Sequence, residues 1–146
     1  MKTRIGFVSN SSSASFVVAL KTEEKPCAHC GRSDPNFLDI VEAIGARFGG
    51  DSECTQLHER GSENLRRYVE RQINEDEWRD DTEKKQWKEI VEFTEKAEKK
   101  GYTVARIEIS YHDEVTNKMF RDLEERKILI PLWSDHRDIS LREVKL

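Results

Sequence analysis

Cys27 and Cys30 stand two residues apart in the turn Cys27-Ala28-His29-Cys30-Gly31, and after a long insert Cys54 precedes His58 by four. Two thiolates in one tight turn can point at a single ion. A Cys and a His four apart on a helix share a face and can complete a tetrahedron. The set Cys27, Cys30, Cys54 and His58 would be a closed structural zinc site, with no open position for a catalytic water. His29, between the first two cysteines, can replace His58 as the fourth ligand. The plain alternative is three free thiols and a surface histidine. A redox pair at Cys27 and Cys30 is a third reading, and no thioredoxin-like pattern precedes it.

A second group lies further along. His112-Asp113 follows the alternating segment 102 to 111, and Asp135-His136 follows the apolar run 128 to 132. Two parallel strands ending there would bring both His-Asp pairs to one sheet edge, where open α/β sheets bind ligands. His112 and His136 would then be acid and base, with Asp113 and Asp135 orienting them or holding a metal. The plainer reading makes Asp113 a helix cap and Asp135-His136 a turn, since caps and turns ask for the same residue types.

The elements that must position these groups are legible in part. Ser15-Phe16-Val17-Val18-Ala19-Leu20 is apolar on both faces and predicts a central strand covered on two sides. Asp34 and Pro35 open a helix over 35 to 48, with Phe37, Leu38, Val41, Ile44 and Phe48 at helical spacing and Gly49-Gly50 ending it. Asp51 can cap a short helix bearing Cys54, Leu57 and His58, ended by Gly61. Ser62 starts another, with the stripe Leu65, Tyr68, Val69 and Ile73. A charged helix runs between 75 and 100, broken near Asp80-Asp81, with a thin stripe that includes Trp78, Trp87, Ile90 and Val91. Glu-to-Lys pairs support its outer face.

Beyond Gly101, Ala105, Ile107, Ile109 and Tyr111 alternate with Arg106, Glu108 and Ser110, which predicts a half-exposed strand. Asp113 caps a helix whose inner face reads Val115, Met119, Phe120 and Leu123. Ile128 to Leu132 is a further strand, pushed toward an edge by Pro131. Residues 102 to 132 thus read as a βαβ unit with parallel strands. A strand at 5 to 8 and a short one within 139 to 144 are weaker expectations.

The totals bound the class. The 146 residues suit one domain, 1–146, and 37% of them are charged, well above the ~25% usual in globular domains. Mean hydropathy is -0.81. So polar a chain gains from a metal staple. The 25 basic and 29 acidic side chains leave a net charge of -4. Their signs are interleaved, so composition does not favour nucleic acid, which would need a local basic patch. No apolar run approaches the ~20 residues of a membrane span, and no apolar segment follows the charged start as in a signal peptide. Three cysteines, an odd number, fit a disulfide framework poorly and point to a reducing cytoplasm.

The serine run has no Gly-rich turn or lysine at a phosphate-loop position, and no nucleophile elbow. Met1 to Phe16, containing Gly6-Phe7-Val8-Ser9-Asn10-Ser11-Ser12-Ser13-Ala14-Ser15-Phe16, resembles an N-terminal signature of small, mostly uncharacterised phage and bacterial proteins: GFVSNSSS, usually more serine, then SF and an apolar strand. Ala14 departs from the unbroken serine form. The resemblance covers about 16 residues and carries no activity. It implies a phage or phage-associated origin and a shared role for the first 20 residues, such as docking, targeting or processing.

The expectation is therefore an α/β domain, with α+β as the alternative. A mixed or parallel sheet of three or four strands is flanked by helices and braced by a zinc knuckle within 27 to 60. Its expected role is non-enzymatic binding through a host or phage protein partner, in the cytoplasm or a virion. The alternatives are a small hydrolase or nucleic-acid-processing enzyme using His112, Asp113, Asp135 and His136, and a virion structural component.

Overall fold

The structure is a computed structural model that describes residues 13–21, 28–30, 36–48, 55–75 and 80–146. Its elements run β1 (Ser13–Lys21), α1 (Phe37–Phe48), β2 (Gln56–Arg60), α2 (Ser62–Asn74), α3 (Asp81–Lys99), β3 (Tyr102–Ser110), α4 (Glu114–Glu125) and β4 (Leu129–Ser134), then a short 3-10 turn at Leu141–Glu143.

The continuous apolar run of β1 occupies the place its pattern requires. The sheet order is β2-β3-β1-β4, so β1 is an inner strand. Val17 and Ala19 pack on one side with Leu65 and Val69 of α2 and with Trp87, Ile90, Val91 and Ala97 of α3. Ala14, Phe16, Val18 and Leu20 pack on the other with Phe37, Leu38 and Val41 of α1 and Phe120 of α4. Helices therefore cover both faces of one four-stranded sheet.

The parallel pairing expected for residues 102 to 132 is absent. All three neighbouring pairs in the sheet, β1 with β3, β1 with β4 and β2 with β3, are antiparallel. Because β3 and β4 both oppose β1, they run in the same direction with β1 between them. Helix α4 is the crossover of this split unit. The apolar β1 fills the gap that a compact βαβ unit would have closed, because its run is apolar on both faces.

Two bulges shape the edges. In the β1–β4 pairing the register shifts between Val17 and Val18, leaving Leu132 as the extra residue. Leu132 and Trp133 then both reach the α2–α3 core, where Trp133 lies 5.1 Å from Trp87 between ring centroids. In the β2–β3 pairing the shift falls between Leu57 and Glu59, and His58 is the inserted residue. Bulges re-aim side chains in this way. The segment expected as a short helix bearing Cys54 and His58 is thus strand β2 from residue 56 on. Pairing with β3 outweighs its helical spacing.

Local signals hold elsewhere. Asp80 caps α3 by accepting from Thr82 N–H, as the expected break near Asp80-Asp81 requires. Gly61 takes φ 93° at the turn from β2 into α2, where a side chain would be strained. Gly45 lets α1 lie against β2: an added Cβ would stand 3.1 Å from Gln56 Cβ. The expected strand within 139 to 144 is instead irregular chain and the 3-10 turn, and the one at 5 to 8 lies outside the described residues. Helix α1 begins at Phe37; Pro35 is also outside them.

Candidate functional site

Strands β3 and β4 end at the sheet edge where β1 begins. That edge gathers several polar and titratable side chains.

Glu108, on the β3 face toward α2 and α3, accepts a 2.5 Å hydrogen bond from the Ser13 hydroxyl at its Oε1. Its Oε2 lies 3.0 Å from Nε2 of the bulged His58. Burial pushes the Glu108 carboxyl up, but His58, Ser13 and the charge of Arg106 hold it below its ordinary value. The order matters chemically. The carboxylate sits between hydroxyl and imidazole, so no imidazole is placed to take the serine proton, as a nucleophilic triad needs. One residue pair along, the Arg106 guanidinium is gripped by both oxygens of Glu59 and lies 4.1 Å over the Tyr68 ring.

This changes the reading of β3. Its polar face was expected to be half exposed, yet Arg106 and Ser110 are buried and the Glu108 side chain is 14% exposed. Alternation marked the two faces correctly. It could not show that the polar face is covered and internally paired.

The His-Asp groups sort differently from the catalytic expectation. Asp113 caps α4, accepting from Thr116 N–H at 3.0 Å and the Thr116 hydroxyl at 2.6 Å. It also accepts from the Thr55 hydroxyl at 2.7 Å, and Thr55 Oγ1 accepts from Ser110 N–H. Burial pushes the Asp113 carboxyl up, and these bonds from Thr116 and Thr55 prevail and lower it. Asp113 therefore ties three elements together.

Asp135 pins the start of β1: its Oδ1 accepts from Ser15 N–H at 3.0 Å, and its own N–H donates to Ser15 O. His136 Nε2 lies 2.5 Å from the Tyr111 hydroxyl, 3.3 Å from Ser13 O and 3.5 Å from Asp135 Oδ1. Burial, then the Asp135 charge, raises the Tyr111 hydroxyl above its ordinary value. Among the described residues, the His112 side chain makes no hydrogen bond; its backbone N–H donates to Ser110 Oγ and its carbonyl accepts from Glu114 N–H. The shared edge is real, but the partner it gives His136 is Tyr111.

Beside these groups two large apolar side chains are exposed, with the exposed His112 and Glu114 between them. Tyr111 is 46% exposed and Val115, expected on the inner face of α4, is 72% exposed. Thr116 and Phe120 take the buried positions instead. The cap at Asp113 sets that rotation by spending Thr116 on its own carboxylate.

Of the expected zinc ligands, Cys27 and Cys54 lie outside the described residues. Cys30 is an exposed free thiol, His29 is exposed, and His58 stands on β2 bonded to Glu108. Among the described residues, no three His, Cys, Asp or Glu side chains group to hold a metal. The shared helical face invoked for Cys54 and His58 is lost with the helix. One feature does suit a ligand histidine: a carboxylate on one ring nitrogen orients the ring and leaves Nδ1 available.

Ser13, Thr55, Glu108 and Tyr111 are the residues sequence reasoning passed over. The available signal was the pair of charges, Arg106 and Glu108, inside an otherwise apolar strand. No protein-family model, curated protein or solved structure matches the chain. Among the described residues, no helix is long and apolar enough to cross a membrane.

Proposed function

We propose that the chain is a non-enzymatic binding or accessory protein of phage origin that acts through protein contacts. The observation that carries this reading is the open edge at Tyr111 and Val115. There, exposed apolar and aromatic surface stands on a base of side chains already committed to structural bonds. Exposed large apolar side chains grouped on a polar surface mark interaction sites more often than scattered ones do. The phage origin rests on the N-terminal signature.

The same reading retains a structural zinc on Cys27, Cys30 and Cys54, completed by His58 or His29. Such an ion would join the chain after β1 to the chain before β2 and supply stability but no chemistry. The orientation of His58 by Glu108 supports it.

Copurification from the native host tests the function. A partner should be captured by the parent protein and lost with Tyr111→Ala plus Val115→Asp, while the far-ultraviolet spectrum and melting temperature stay unchanged. Equal capture by the variant overturns the assignment of the surface. The hydrolase reading is favoured by one observation, the shared direction of β3 and β4, and requires His112→Ala and His136→Ala each to abolish a measurable hydrolysis. A virion component would instead copurify with particles.

A further inference from the structure

Three strand ends meet at one ring nitrogen. Around Nε2 of His136 lie the Tyr111 hydroxyl oxygen at 2.5 Å, the main-chain oxygen of Ser13 at 3.3 Å and Oδ1 of Asp135 at 3.5 Å. Ser13 opens β1, Tyr111 follows β3, and Asp135 and His136 follow β4. A ring nitrogen carries at most one hydrogen, and two of the three oxygens, a carbonyl and a carboxylate, only accept. One N–H cannot be directed at all of them, so the cluster is rich in acceptors and short of donors.

Asp135 sharpens the deficit. Its side chain is 6% exposed. Oδ1 accepts from Ser15 N–H, and Oδ2 is buried with no hydrogen-bond partner. Arg137, two residues on, is spent on Glu124, to whose two oxygens its Nη1 donates at 2.8 and 2.6 Å. A buried carboxylate whose one firm hydrogen bond comes from a neutral donor calls for a counter-charge.

The spacing fits a metal ion. Ligands bound at about 2.0–2.2 Å stand about 3.0–3.5 Å from one another at right or tetrahedral angles. Ser13 O and Asp135 Oδ1 already keep that separation from Nε2, and the exposed Tyr111 ring needs to swing out by only about 0.5 Å to do so. Each ligand is held from behind. Ser13 Oγ donates to Glu108, Asp135 N–H to Ser15 O, and His136 N–H to Ser134 Oγ. Such bonds orient ligands in metal sites. Two of the four donors are a phenol and a main-chain carbonyl, so this set lies outside clusters of three His, Cys, Asp or Glu side chains.

We infer that His136 Nε2, Asp135 Oδ1, Tyr111 Oη and the Ser13 carbonyl bind a divalent first-row transition ion. The ion takes the place of the Tyr111–His136 hydrogen bond and gives Asp135 its counter-charge. One imidazole among three oxygens suits the series from manganese to zinc better than magnesium or calcium, which take oxygen ligands. Tyr111 is 46% exposed and the His136 side chain 43%, so coordination positions stay open to water. The ion is therefore exchangeable, unlike one enclosed by thiolates. Bound, it fastens the start of β1 to the ends of β3 and β4.

Titration of the full chain with Mn²⁺, read as paramagnetic broadening of amide signals, tests this, with Mg²⁺ as competitor. Manganese is the probe because thiolates do not favour it. Broadening should centre on Ser13, Tyr111, Asp135 and His136 and persist in about tenfold excess Mg²⁺. His136→Gln should weaken Mn²⁺ at least about tenfold. Tyr111→Phe keeps the ring and loses the oxygen, and should weaken it several-fold; that variant carries the test if the glutamine variant does not fold. Broadening centred elsewhere, displacement by equimolar Mg²⁺, or affinity unchanged in the folded variants would overturn the site and leave the His136 ring itself as the partner of Asp135.

Discussion

Asp113→Ala removes a carboxylate that receives three donors: Thr116 N–H, the Thr116 hydroxyl and the Thr55 hydroxyl. Loss of an N-cap costs about 1 kcal/mol. Each hydroxyl bond to a charged acceptor adds about 1 kcal/mol net at this partial burial. The expected loss is therefore about 3 kcal/mol. For a chain of this size, ~3 °C of melting temperature accompanies each kcal/mol, so the midpoint should fall by ~9 °C. Asp113→Asn keeps an oxygen for the cap and loses the charge, and should cost about 1 kcal/mol.

The pH dependence separates the two terms. The Asp113 carboxyl is lowered below its ordinary 3.8 in the folded protein. Its contribution is complete above that value and fades as pH falls through the folded one. Urea unfolding of parent and Asp113→Asn should thus show a constant gap from neutral pH to about pH 4, closing below it. A loss under about 1 kcal/mol for the alanine variant, or a gap that persists in acid, would refute the assignment of Asp113 as a structural tie.

Three further outcomes follow from the packing and the proposed metal. Glu59→Gln removes the carboxylate that grips the buried Arg106 guanidinium with both oxygens and should cost about 2 kcal/mol in urea unfolding. Replacing both Arg106 and Glu59 by Met should cost less than the sum of the single changes. Phe120→Ala empties the space between Phe16 and Phe37, whose ring centroids lie 4.5 and 6.1 Å away, and should cost ~3–5 kcal/mol. Elemental analysis should find one zinc per chain, and Cys54→Ser or a chelator should release it and lower the melting temperature; metal-free protein of unchanged stability would remove the zinc.

What the sequence disclosed depended on how local the signal was. β1 and its two-sided burial were legible because the apolar run is unbroken, and Pro131 marked β4 as the sheet edge it is. The cap at Asp113 and the helix break near Asp80-Asp81 were legible because a capping side chain bonds within its own turn. β2 was hidden. It carries one large apolar residue, Leu57, and a bulge at His58 breaks its alternation, so a helical spacing was as good a description. Its strand state comes from β3, which lies far along the chain. Val115 misled for a similar reason: apolar and near the helix start, it fits an inward stripe, and only the bond between Thr116 and Asp113 turns it outward. The pairing of Glu108 with His58 and Ser13 joins three distant segments. No spacing encodes it.

The placement of β1 has a consequence for how the protein is made. β1 is an interior strand of the sheet, yet its neighbours are residues 102–110 and 129–134, far along the chain. An unpartnered apolar segment must therefore wait until both of those strands have been synthesised, and its closure spans long loops. Truncation before residue 129 would strand β1 with one side bare, inviting pairing with other chains. Assembly of this sheet thus waits on β4, which completes it.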